Sequence, residues 1–141
     1  RAAVRRLVLV SDAPPPSGMP PGPAELAGVP VHSDGVRITT PDGRLAGSAS
    51  GIDAGPRTLV AADIPVGEAL SAACEAPRRL LGLPPGFTAG DPADLVLLDG
   101  QLVPRLTLVG GHVAHAAPDL PFPVPAIGEP LWSPDQPVGG P

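Results

Sequence analysis

The chain has 141 residues, enough for one modest domain, and its 23 prolines and 18 glycines put it in the range where disorder competes with folding. Its formal net charge is −5, all nine basic residues are arginine, and none form a block. A nucleic-acid partner, which needs clustered cations to displace counterions, is therefore not expected.

Aromatic residues are nearly absent. Phe87, Phe122 and Trp132 are the only ones, so a core must be built from Leu, Val, Ala and Ile. Cys74 is the single cysteine and cannot form an intrachain disulfide, which fits a reducing, cytoplasmic setting. No apolar run approaches the ~20 residues of a membrane span, so no membrane partner is expected. The run at the N-terminus is also shorter than the ~7–15 residues of a signal-peptide core. A start at Arg1 rather than Met, directly before a buried-strand pattern, predicts that the chain is a piece of something longer.

In chain order, Leu7-Val8-Leu9-Val10 is a continuous apolar run of the kind that suits a strand covered on both faces. It stops at Ser11-Asp12, and the segment from Ala13 to Gly18, with Pro14-Pro15-Pro16, reads as a loop. A carboxylate thus stands at the C-terminal end of a predicted buried strand, the edge where catalytic groups of a β/α barrel gather. Residues 29–47 read as a hairpin region. Val29, Val31, Val36 and Ile38 alternate with polar residues, Ser33-Asp34-Gly35 is turn chemistry, and Pro41-Asp42-Gly43 is a second turn. The small residues of Leu45-Ala46-Gly47-Ser48 allow close backbone approach.

Residues 52–83 read as helical in pieces. One lies around Pro56 to Ala62, and a second starts near Pro65 with Val66, Ala69, Leu70 and Ala73 at helical spacing. Pro77 predicts a break, and a last turn at Arg78–Leu81 stops at Gly82. Asp94–Asp99 and Arg105–Ala114 read as two strands joined through Gly100, and 117–141 as a disordered or polyproline-like tail. Cys74, on the apolar helix, reads as a small buried hydrophobe. His112 and His115, three apart on a strand, project to opposite faces and suit one metal poorly. They and His32 read as surface histidines.

These segments resemble a known family. Leu9-Val10-Ser11-Asp12-Ala13 followed by Gly18 is similar to the LVTDA…G segment of N-acetylglucosamine-6-phosphate deacetylases, and Asp42 to Ser48 to their DG-x-LAGS segment. Asp53 with Arg57-Thr58-Leu59-Val60, Ile64 to Leu70, and Pro77 to Leu83 are similar to MD…RNLV, VPLEEAL and NPARLLGL. Gly86, Gly90, Ala93 to Asp99 and Val109-Gly110-Gly111 resemble an ending shared by many amidohydrolases. The likeness spans about residues 7–114. It departs from the family at Pro14-Pro15-Pro16, at Gly55-Pro56 within a normally uninterrupted helix, and at Ala76 in place of Asn.

The resemblance implies an α/β fold, the C-terminal fragment of a metal-dependent TIM-barrel amidohydrolase with part of its small β-sandwich domain. On it, 1–25 would be the last barrel strand and catalytic loop, 26–49 the hairpin and pocket segment, and 50–83 the terminal helices. Residues 84–116 would be sandwich strands and 117–141 a Pro-rich disordered tail. The implied activity hydrolyses the acetamide of N-acetylglucosamine 6-phosphate to glucosamine 6-phosphate and acetate, in amino-sugar catabolism. Asp12 falls at the family's general base and acid. Leu45, Ala46, Gly47 and Ser48 fall at its substrate contacts. The family uses a divalent metal, zinc or similar, whose Glu and two His ligands have no counterpart in this chain, so inactivity in isolation is expected. An amino-sugar phosphate is the implied small-molecule partner, and the family is often homo-oligomeric. Read without the resemblance, Asp12 is a loop aspartate that caps a helix, and residues 45–48 are a small-residue turn. Another amidohydrolase, such as a deaminase or cyclic-amide hydrolase, and a non-catalytic β-rich module whose Pro-rich tail binds a protein, remain as alternatives.

Overall fold

The computed structural model describes residues 6–84 and 88–131, and the chain divides into two units, Arg1–Gly86 and Phe87–Pro141. The fold is mixed α/β. Phe87, Trp132 and the tail from 132 onward lie outside the described residues.

The first unit holds an antiparallel meander of β1 (Gly22–Leu26), β2 (Val29–Ser33), β3 (Arg37–Thr39) and β4 (Leu45–Ser48), in that order. Strand β1 was not anticipated. It pairs Leu26 with Val29 across Ala27 and Gly28, both at positive φ (51° and 80°), the twist that a two-residue hairpin needs. Pro23 is tolerated because β1 is an edge strand. At the next turn the Asp34 carboxylate accepts the N–H groups of Arg37 (2.6 Å) and Val36 (2.7 Å). These bonds to the ionised form hold its pKa below the ordinary 3.8. Alternation then buries one face: Val31, Ile38 and Ala49 form the core, with Ala24, Leu26 and Ala46 packed against it.

Three short helices follow: α1 (Ala54–Ala61), α2 (Val66–Ala73) and α3 (Glu75–Leu80). Gly55 and Pro56 both fall in the first turn of α1, where a missing N–H costs nothing. The break expected at Pro77 is instead at Cys74, which ends α2 and precedes α3 with φ −117° and ψ −65°. Pro77 sits in the first turn of α3 for the same reason that Pro56 is allowed in α1. The position at this junction leaves Cys74 exposed, so it is not the buried hydrophobe expected. Ala69, Ala72 and Ala76 supply the buried face at helical spacing.

Leu7–Val10, expected as a buried strand, forms no strand here. No other strand among the described residues pairs with it. The Leu9 N–H donates to the Ala72 carbonyl at 2.9 Å, and Val10 is 75% exposed. Leu9 instead packs where Gly55 lacks a side chain: a Cβ there would stand 2.9 Å from Leu9 Cδ1.

The second unit is a three-stranded antiparallel sheet of β5 (Leu95–Leu98), β6 (Pro104–Val109) and β7 (His112–Ala116). The single strand expected over 105–114 is two strands. Gly110 and Gly111, at φ 55° and 82°, reverse the chain between Val109 and His112. Leu106, Leu108 and Val113 form the core, and Leu95, Ala116, Leu120 and Val124 pack on it. Residues 117–131, expected as disordered or polyproline-like, therefore fold back onto the sheet. Among the described residues no helix is long and apolar enough to cross a membrane.

Two predictions follow from this packing. Ile38 is fully buried at 0% exposure. Ile38→Ala should cost about 2–5 kcal/mol in a chemical denaturation series, and Val36→Ala, at an exposed site, less than about 0.5. The lowered pKa of Asp34 means that its ionised form contributes stability fully above its ordinary 3.8 and loses that contribution as pH falls through the lower folded value. Denaturation midpoints measured at pH 7 and at pH 3 should thus differ less for Asp34→Ala than for the parent chain.

Candidate functional site

Asp12 and the Leu45–Ser48 segment, far apart in sequence, meet through the backbone. Asp12 adopts a left-handed conformation (φ 49°), which Asp tolerates better than most side chains. Its carbonyl accepts the Ser48 N–H at 2.9 Å. The approach depends on Gly47: a Cβ there would lie 2.6 Å from Pro14 Cδ, 2.8 Å from Pro14 Cγ and 2.9 Å from the Asp12 carbonyl oxygen. Gly47 also holds φ 147°, which L side chains rarely adopt.

The loop after Asp12 is stitched to the same strand. Ser17 closes a turn by donating its N–H to the Pro14 carbonyl (2.9 Å), and its hydroxyl donates to the Ser48 carbonyl (2.5 Å). The Gly18 N–H donates to the Ala49 carbonyl at 3.3 Å, and Pro16 is buried. Pro14 and Ser17 were missed by sequence reasoning as partners of residues 47–48. The turn-forming Pro-Pro-Pro-Ser-Gly run was the available signal.

The four positions expected to contact substrate do not share one environment. Ile38 pairs with Gly47 and Thr39 with Leu45, so Ala46 is the extra residue of a bulge and packs against the first core. Leu45 is 66% exposed. Gly47 is buried under Pro14, and the Ser48 hydroxyl both accepts the Ser50 N–H (3.0 Å) and donates to the Ser50 carbonyl (3.2 Å). Gly47 and Ser48 are therefore the two that the structure brings to Asp12. The Asp12 side chain is exposed and has no hydrogen-bond partner among the described residues.

A cavity of about 240 Å³ opens beside Ser48, with the hydroxyl residues Ser11, Ser50 and Thr58 on its wall. At the opposite end of β4, the Asp42 carboxyl is held below its ordinary pKa by the Thr40 hydroxyl and then by Arg44, which orders the turn leading into the strand. Among the described residues no three His, Cys, Asp or Glu side chains come together as a metal site. His112 and His115 are both exposed on β7. The described residues thus do not fit a bound metal, and what this arrangement offers is a free carboxylate beside a rigid, glycine-dependent backbone contact.

No family model matches the chain. It is 34% identical over 116 residues to a putative N-acetylgalactosamine-6-phosphate deacetylase of Escherichia coli K12, a match covering 79% of this chain and 70% of that protein. It is equally similar to the N-acetylgalactosamine-6-phosphate deacetylase of Escherichia coli O157:H7, of which the match covers 31%. Among solved structures, it resembles an aspartate-to-alanine variant of N-acetyl-D-glucosamine-6-phosphate deacetylase from Mycobacterium smegmatis in complex with N-acetyl-D-glucosamine-6-phosphate. There the identity is 32% and the TM-score 0.67, over 78% of this chain and 31% of that one. The chain thus spans 70% of the first relative and about a third of the other two. All three are named as deacetylases, not as deaminases or cyclic-amide hydrolases. The chain belongs to the family of N-acetylhexosamine-6-phosphate deacetylases.

Proposed function

We propose that this chain supplies the C-terminal part of an N-acetylhexosamine-6-phosphate deacetylase, with Asp12 as its proton-transfer group and Gly47 and Ser48 as the backbone that fixes Asp12 beside the sugar. The observation that carries this reading is the Ser48 N–H bond to the Asp12 carbonyl at a site where Gly47 has no room for a side chain. A catalytic carboxylate needs such fixing, because small misplacements of a reacting group cost large factors in rate.

The reaction removes acetate from the acetamide. As water oxygen bonds to the carbonyl carbon, the Asp12 carboxylate takes a proton from that water. It returns the proton to nitrogen as the C–N bond breaks, leaving a free amine and acetate. One group serves both steps because they are sequential. A divalent metal supplies Lewis acidity in the family, but the described residues hold no fitting ligand set, and no step assigned to this chain runs through one. A β/α barrel for the remainder of the enzyme, a cytoplasmic location and a homo-oligomeric state belong to the same reading. The relatives' names divide between the galactosamine and glucosamine epimers, so the substrate class is the N-acetylhexosamine 6-phosphates.

The test is a chimera in which residues 7–116 replace the matching segment of the Mycobacterium smegmatis enzyme, assayed for acetate release from both epimers. Asp12→Asn should lower turnover about 10²–10⁴-fold with metal content and sugar-phosphate binding retained. Turnover near that of the parent chimera would remove Asp12 from the mechanism. In the same chimera Gly47→Ala should lower kcat and cost about 1–3 kcal/mol of stability, because both the left-handed φ and the Pro14 contact oppose a Cβ. Gly43→Ala, at φ 81° with nothing within 4 Å of its Cβ, should cost only backbone strain and leave kcat unchanged.

A further inference from the structure

Residues 117–131 return alongside β7. The Arg105 guanidinium pairs with Asp119 at the start of this segment, Leu120 and Val124 pack onto the Leu106/Leu108/Val113 core, and Pro130 forms an antiparallel bridge with His112. Three backbone bonds close the edge: Val113 N–H to the Glu129 carbonyl (2.9 Å), Gly128 N–H to the Val113 carbonyl (2.7 Å) and Leu131 N–H to the Gly111 carbonyl (2.9 Å).

β7 carries none of the side-chain protections of a sheet edge, and the bulge at Ala114, where its register with β6 shifts, is the one interruption in its backbone. Its sequence, His112-Val113-Ala114-His115-Ala116, has no Lys, no Pro and no acidic residue, so an uncovered β7 presents a neutral row of donors and acceptors. The returning segment is built the other way. It carries prolines at 118, 121, 123, 125 and 130, which have no N–H to offer. Its remaining donors at the pairing end are all used: Gly128 and Leu131 donate to β7, and Glu129 donates to the Ala126 carbonyl in a turn. No backbone N–H from 128 to 131 is left to template another strand.

We propose that residues 117–131 are a built-in edge strap, which occupies the outer edge of β7 and ends the sheet, and whose release lets β7 pair with β7 of a second copy of the chain. The self-partner follows from the strand itself: a short neutral strand that pairs antiparallel with its own copy makes a two-fold contact using the same patch twice. The strap thus functions as an autoinhibitory contact against edge-to-edge association, independent of the deacetylase reading.

The experiment compares the intact chain with a version ending at Ala117, by sedimentation across a concentration series. The shortened chain should gain mass to at least twice that of the intact chain's species, and Ala114→Lys within it should restore the intact mass by placing a charge on the edge. In the intact chain, Gly128→Pro removes one strap donor and should speed amide exchange at Val113 at least tenfold, with Leu106 unchanged. This second variant decides the matter if the shortened chain loses its sheet. Sedimentation of the folded shortened chain at the intact mass overturns the proposal. So does association that Ala114→Lys leaves in place, or exchange at Val113 unaltered by Gly128→Pro.

Discussion

The absence of one side chain, at residue 47, governs how the first unit is joined. Without a Cβ there, Pro14 and the Asp12 carbonyl can lie against β4, and the strand's free edge is satisfied by the loop instead of by another strand. Any larger residue would push Pro14 and the Asp12 backbone away together, because the nearest atoms are a ring and a carbonyl, neither of which can swing aside. The prolines at 14–16, a departure from the family pattern, are the local complement of Gly47. Their fixed φ lowers the number of unfolded conformations lost on closing the loop. Pro16 is buried beneath it, and Pro14 fills the space that Gly47 leaves.

A second glycine plays the same part further along. Gly55 admits the Leu9 side chain against the first turn of α1, and Leu9 spends its N–H on Ala72 in α2. The segment that leads into Asp12 is therefore held by helices, not by neighbouring strands. Two departures from the family pattern, Gly55-Pro56 and Pro14-Pro15-Pro16, lie on the two sides of this segment. Ala76, a third, is buried at 6% exposure, where a polar amide would need partners.

What was legible in the sequence was local chemistry. Asp34-Gly35 and Asp42-Gly43 mark turns because their side chains and backbones satisfy the reversal within a few residues. The alternation at Val31 and Ile38 marks a buried face because strand geometry has period two. The errors have separate physical causes. Pro77 was read as a breaker, yet a first turn does not use the N–H it lacks. Residues 105–114 were read through as one strand, although Gly110-Gly111 is the strongest hairpin signal in that stretch. Leu7–Val10 was read as buried from apolarity alone, but whether such a run becomes a strand depends on a partner edge that local sequence does not encode. At the site, the family resemblance pointed to Asp12 and residues 45–48 together. It did not distinguish Gly47 and Ser48, which meet Asp12, from Ala46, which a bulge turns into the core, or from Leu45, which is exposed.

Several of the prolines acquire a physical meaning from where they fall. A chain poor in aromatics has small cores, and small sheets have a high proportion of edge. Edges can be satisfied without strands if the covering backbone offers few N–H groups of its own. Pro14 and Pro16 lie in the loop over β4, Pro23 is on edge strand β1, and Pro130 pairs against β7. Each site is at a sheet boundary, where a missing donor prevents pairing from continuing outward. Composition that would signal disorder if scattered at random is thus, at these positions, a means of ending sheets.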